Sequence, residues 1–143
     1  MNTCLSHSPQ DTEQAGFRLA KELLSAGKRS ALILLYGEMG VGKTAFTRGF
    51  AAALGISGVR SPTYTVVNEH RDGILPLFHF DLYRIADEDE LYGIGFEDYL
   101  ASDGFCLCEW SECIPELASY ENVRTVTISR TETDENQRTI SFS

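Results

Sequence analysis

Ser30-Ala-Leu-Ile-Leu-Leu-Tyr36, Gly37-Glu-Met-Gly-Val-Gly-Lys-Thr44 and the run from Ala45 to Leu54 decide the fold of this chain. The first run is apolar without alternation, as in a strand buried on both faces at the centre of an α/β sheet. The glycines then break the pattern. Helix returns from Lys43 to about Leu54, with Phe46, Phe50, Ala53 and Leu54 at core spacing and Gly55 as the stop. Between strand and helix, Gly37 to Thr44 fits G-x-x-x-x-G-K-[ST]. Each part has a physical duty. The turn from Glu38 through Met39, Gly40, Val41, Gly42, Lys43, Thr44 and Ala45 offers backbone amides that can wrap a phosphate, and the helix aims its N-terminal dipole at the same anion. Lys43 can reach β- and γ-phosphates, and Thr44 can place its hydroxyl on Mg²⁺. Random order of this composition gives the pattern in about 0.3% of chains, so its strand–turn–helix context makes a nucleotide phosphate site the reading.

Outward from this centre, a helix is expected from about Pro9 to Ala26, with Ser8 as N-cap, Pro9 at the first helical position and Gly27 at the end. Tyr64 to Glu69 and Ile74 to Phe80 read as strands joined through His70-Arg-Asp-Gly73, a hairpin signal. Pro76 argues for an irregular or edge start to the second. Asp87 to Tyr99 is helical and acidic, interrupted at Gly93 and Gly95. Gly104 to Cys108 is another short buried strand, and Val123 to Ser129 with Arg138 to Phe142 form a closing hairpin.

The 143 residues are the length of one domain and can bury a core without staples. Charge is the unusual term: 12 Lys+Arg against 21 Asp+Glu give −9. Such a surface repels a phosphodiester backbone and anionic membranes, so direct DNA or membrane binding is not expected. Met1 to Gln10 has neither a basic nor an apolar signal region, and Ala31 to Tyr36 is too short to span a bilayer. The four cysteines (Cys4, Cys106, Cys108, Cys113) match no zinc pattern, and Cys106 and Cys108 share one strand face as free buried thiols. A cytoplasmic, reduced protein is expected.

Several residues are candidates for chemistry. Asp81, ending a strand beside the glycine-rich turn, reads as a second Mg²⁺ anchor or as a plain turn aspartate. Glu109 follows another strand and is either a site carboxylate or a solvated one; Trp110 beside it can stack, pack or wedge against a partner. Ser61-Pro-Thr-Tyr-Thr65 is either a switch loop sensing a γ-phosphate or a turn into a strand. His79 shares a strand face with Asp81, as a core histidine or as the group that orients that carboxylate. Arg84 pairs with phosphate or with the acidic segment after it.

Gly37 to Thr44, Ser61-Pro-Thr-Tyr64, His79-Phe-Asp-Leu-Tyr-Arg84 and Glu109-Trp110, in this order and spacing, closely resemble the TsaE family. These are small bacterial P-loop ATPases required to make threonylcarbamoyladenosine at position 37 of tRNAs that read codons starting with A. The resemblance covers roughly residues 8 to 140. Family members commonly carry Asp-Leu where this chain has Glu38-Met39, a departure that preserves the charge. The resemblance implies an α/β, three-layer P-loop NTPase fold with a small mixed central sheet, parallel plus antiparallel, in a single domain over residues 1–143. It implies ATP and Mg²⁺ as cofactors, Lys43 and Thr44 as phosphate and Mg²⁺ residues, and Asp81 as the aspartate of the metal site. Ser61, Pro62, Thr63 and Tyr64 would be a switch-like loop. Glu109 and Trp110 would position Mg²⁺ or water and form the catalytic or partner surface. Thr12 matches a threonine near the nucleotide base. It also implies TsaB and TsaD as partners, tRNA contacted only indirectly, and a weak ATPase that depends on those partners. The alternatives are a small-metabolite kinase of shikimate-kinase-like type, which needs an arginine-bearing lid, and a nucleotide-gated binding module with negligible turnover.

Overall fold

A computed structural model describes residues 2–59 and 66–143. Along the chain the elements are β1 (Asn2–Ser6), α1 (Pro9–Ser25), β2 (Ser30–Tyr36), α2 (Lys43–Ala53), β3 (Val67–His70) and β4 (Leu77–Asp81). They continue with α3 (Glu88–Gly93), α4 (Phe96–Ala101), β5 (Gly104–Glu109), two 3₁₀ turns, β6 (Val123–Arg130) and β7 (Arg138–Phe142). The strands form one sheet in the order β1-β7-β6-β2-β5-β4-β3. The four inner strands β6, β2, β5 and β4 run parallel, and β7, β1 and β3 join antiparallel.

The sequence explains this order. β2 lies between β5 and β6 with its five central residues buried, which is why its apolar run has no alternation. On one face, Ile33, Leu35, Leu77, Phe105, Leu107, Val126 and Ile128 meet Phe46 and Phe50 of α2 and Leu19 and Leu23 of α1. On the other, Leu32, Leu34, Phe78, Phe80, Cys106 and Cys108 meet Leu91 of α3, Phe96 of α4 and Leu117. The two clusters make three layers, helix–sheet–helix, as in the expected mixed α/β architecture. The cysteines are free; burial pushes the Cys106 thiol up to about 12 and holds that of Cys108 well above its ordinary value. Both thiols are therefore protonated packing groups at neutral pH.

α1 starts as the sequence predicts: the Ser8 hydroxyl accepts from Asp11 N–H at 3.2 Å, with Pro9 in the first turn. It packs on α2 at close range, because a Cβ on Gly49 would stand 1.7 Å from the Glu13 carbonyl oxygen. Glu13 and Arg48 close the same contact with an ion pair at 3.1 Å.

Three expectations need correction. β1 was not expected; Asn2-Thr-Cys-Leu-Ser6 has no apolar run because it is an edge strand, held by its pairing with β7. The hairpin strand expected from Ile74 begins at Leu77 and lies inside the sheet between β5 and β3. Pro76 precedes it and uses its carbonyl to accept from Phe105 N–H at 2.9 Å, so the missing N–H costs no ladder bond. The strand expected over Tyr64 to Glu69 is β3, Val67–His70; Tyr64 and Thr65 lie outside the described residues.

Parallel register sets the functional edge. Leu35 pairs with Glu109, and Glu109 pairs with Asp81, so the carboxyl ends of β2, β5 and β4 finish level. Open α/β sheets bind ligands at that edge. No helix among the described residues is long and apolar enough to cross a membrane.

Candidate phosphate-binding site

The turn after β2 is shaped for an anion. Gly42 is the N-cap of α2 at φ 124°, a conformation that side-chain-bearing residues rarely adopt, and it contributes no side-chain cap. The first-turn N–H groups of α2 thus have no intrahelical partner, and no acidic residue in that turn offsets the helix dipole. The β6–β7 hairpin braces the turn from outside. Arg138 Nε donates to the Val41 carbonyl at 3.0 Å, and Arg130 Nε donates to Glu38 Oε1 at 2.9 Å.

A cavity of about 620 Å³ opens over this turn. Met39 through Ala45 form its base, and Ser8 and Thr12 from the start of α1 form one wall. Asn136 and Arg138 form a second wall, and Glu109 and Trp110 a third. The Thr12 hydroxyl is committed to Ser6 at 2.7 Å, which ties β1 to the wall beside Gly42.

Lys43 is 7% exposed, and its Nζ has no hydrogen-bond partner among the described residues. It rests 4.1 Å from the centroid of the Trp110 ring and 4.0 Å from Glu109 Oε1. A buried ammonium with only these contacts is incompletely compensated, and an anion entering the cavity would complete its shell. Glu109 Oε2 lies 2.5 Å from His79 Nε2, and His79 is 0% exposed. Trp110 leaves β5 in the left-handed region at φ 62°, and Tyr83 stacks edge-on to its ring at 5.1 Å. Left-handed backbone at a tryptophan costs about 1–3 kcal/mol, and such strain clusters at functional positions.

Thus Thr12, Met39 to Ala45, Glu109 and Trp110 are brought together on one cavity. Asp81 lies beside Glu109 in register but not in the cavity wall; its Oδ1 accepts from Tyr83 N–H at 3.0 Å, a turn role. Glu38 faces solvent and pairs with Arg130 instead of lining the cavity. Arg84 is exposed, with no hydrogen bond or ion pair to the described residues. Ser61, Pro62, Thr63 and Tyr64 lie outside the described residues. His79 is buried in the core, as one of its two sequence readings has it, and it bonds to Glu109 rather than to Asp81. Arg138 and Asn136 were missed. β6, parallel to β2, delivers the hairpin loop to the same sheet edge as the glycine-rich turn, a placement that no local sequence pattern signals.

Among the described residues, no three His, Cys, Asp or Glu side chains cluster as a metal site. The candidate groups for a divalent cation among the described residues are one hydroxyl, Thr44, and two carboxylates, Glu109 and Asp81. Such a sparse oxygen set suits Mg²⁺, which takes its remaining ligands from phosphate and water.

A glycine-rich turn between a central parallel strand and its helix, at the level edge of a mixed three-layer sheet, defines the P-loop class of α/β proteins. The family model described as "Threonylcarbamoyl adenosine biosynthesis protein TsaE" matches residues 6–140. The tRNA threonylcarbamoyladenosine biosynthesis protein TsaE of Bacillus subtilis is 40% identical over 133 residues, covering 92% of this chain and 80% of that protein. Its namesake in Treponema pallidum is 38% identical over 128 residues, 88% of each chain. The crystal structure of Bacillus subtilis YdiB aligns with a TM-score of 0.78 at 30% identity, over 99% of this chain and 83% of that one. This chain belongs to the TsaE family.

Proposed function

We propose that the chain binds ATP with Mg²⁺ in this cavity and hydrolyses it to drive or reset a TsaB–TsaD complex. That complex forms threonylcarbamoyladenosine at position 37 of cytoplasmic tRNAs that read codons starting with A. The observation that carries the reading is Lys43 Nζ, buried and without a hydrogen bond at the base of the cavity. Family membership supplies the pathway.

In this reading the amides from Gly40 to Ala45 hold the β- and γ-phosphates, and Lys43 exchanges its contacts with Trp110 and Glu109 for phosphate oxygens. Neutralising the negative charge that builds on the phosphates is the chemistry Mg²⁺ would supply when bound. Thr44, with Asp81 or Glu109, would hold the cation, and Glu109 would orient the attacking water. Turnover is slow in isolation because a partner supplies a missing element, as when a GTPase awaits an arginine finger. A net charge of −9 fits a protein that leaves tRNA to its partners. The kinase alternative needs arginines free to close as a lid. Arg130 and Arg138 are instead bonded to Glu38 and Val41.

Binding and hydrolysis separate the roles. Asp81→Ala is expected to keep Mg–ATP affinity within about tenfold while hydrolysis falls by about 100-fold or more, since the carboxylate acts mainly on charge developing in the transition state. Calorimetry and phosphate release read the two quantities. An unchanged rate removes Asp81 from the site.

A further inference from the structure

A histidine wholly inside a sheet layer needs a reason for its polarity. His79 sits in the middle of β4 at 0% exposure, with Nε2 2.5 Å from Glu109 Oε2 and Nδ1 without a hydrogen-bond partner among the described residues. A carboxylate only accepts, so the hydrogen of this bond belongs to Nε2. The bond crosses strands: His79 is level with Leu107, and Glu109 follows two residues later on the same face of β5. A glutamate's terminal torsion is broad and two-fold, so an unrestrained carboxylate would present either oxygen over many angles. Here Oε2 is taken, and Oε1 is the oxygen directed at Lys43, 4.0 Å from Nζ. Glu109 is only 13% exposed, so little water competes for that arrangement.

We propose that His79 is the positioning residue of this site: its Nε2–H holds Glu109 Oε2 so that Oε1 alone faces Lys43 and the cavity. The proposal rests on the hydrolytic reading above and adds to it the group that aims the water-orienting carboxylate. His79 itself touches neither nucleotide nor water. Its effect passes entirely through Glu109, as outer partners act on the ligands of metal sites. The unpaired Nδ1 is the cost of spending the ring on one bond.

The test is a double-mutant cycle in the intact chain with TsaB, TsaD and substrate tRNA, reading Mg–ATP hydrolysis and Mg–ATP affinity. His79→Leu fits a strand face it shares with Leu77 and Leu107 and removes only the bond. It is expected to lower kcat by about 10- to 100-fold with affinity close to native. His79→Gln keeps an N–H near the Nε2 position and is expected to recover most of that loss. In a Glu109→Ala background, His79→Leu should cost nothing further. Equal losses in both backgrounds, or a His79→Gln variant that folds but is as slow as His79→Leu, would overturn the assignment. Imidazole ¹⁵N spectra give a reading independent of turnover. The native chain should show hydrogen on Nε2 with a resonance that moves in Glu109→Ala; hydrogen on Nδ1, or no movement, contradicts the proposal. A native chain that hydrolyses no ATP while the spectra show the bond would refute the hydrolytic reading and leave the His79–Glu109 contact standing.

Discussion

Lys43 and Trp110 report on each other. The ammonium sits 4.1 Å from the ring centroid, a geometry worth about 0.5–2 kcal/mol when partly desolvated. A phosphate at the helix N-terminus competes for the same ammonium, so nucleotide binding should lift Lys43 from the ring. Trp110 is the sole tryptophan, which makes its fluorescence a clean reading of that event. Mg–ATP is expected to change its emission saturably, and Lys43→Ala to abolish the change; an unresponsive spectrum would place the ring outside the binding event. At this scale the sequence was informative where spacing itself carries the chemistry. Lys43 and Thr44 are named by their distance from the glycines; Glu109 ends a buried strand, a position that suits a solvated carboxylate as well, and only the family resemblance singles it out. The partner of His79 was not legible, because Asp81 and Glu109 are both level with its strand end and only side-chain geometry separates them. Arg138 was not legible either. Its neighbour Val41 is 97 residues away, and no local pattern encodes such a contact.

The P-loop helix is positioned by the helix that precedes it. α1 and α2 meet where Gly49 passes the Glu13 carbonyl so closely that a Cβ would stand 1.7 Å from it. Helix propensity alone predicts that Gly49→Ala stabilises α2 by about 1 kcal/mol. The contact predicts the opposite sign, because backbone on one side cannot yield as a flexible side chain does. Gly49→Ala should lower stability by about 1–3 kcal/mol in urea unfolding, through overpacking between the helices. A gain in stability would mean that α1 can move away freely. The same contact explains why elements differ in legibility. β2 and α2 declare themselves by continuous or periodic apolar residues, since both face the core. β1 does not, because its order comes from pairing with β7 and from the Ser6–Thr12 bond, neither of which leaves an apolar signature. Pro76 misled for a related reason: it signalled an edge, whereas the strand simply begins one residue later, inside the sheet.

For the whole molecule, parallel register and net charge point the same way. The register brings the ends of β2, β5 and β4 level, so a phosphate turn, two carboxylates and a tryptophan from three separate segments converge on one edge. A net charge of −9 suits the proposed role, acting on protein partners rather than gripping tRNA itself. The class of fold was legible from one strand–turn–helix because that unit contains its own ligand site. The partners were not, since a docking surface has no fixed spacing, and they entered through family resemblance. The most direct measurement is threonylcarbamoyladenosine formation over many turnovers by TsaB, TsaD and substrate tRNA with ATP, adding this chain or its Lys43→Ala variant and following phosphate release in parallel. The account predicts that the native chain sustains repeated turnover with ATP consumption, and that the variant supports neither. Sustained modification with Lys43→Ala, or with the native chain and no ATP hydrolysis, would contradict it.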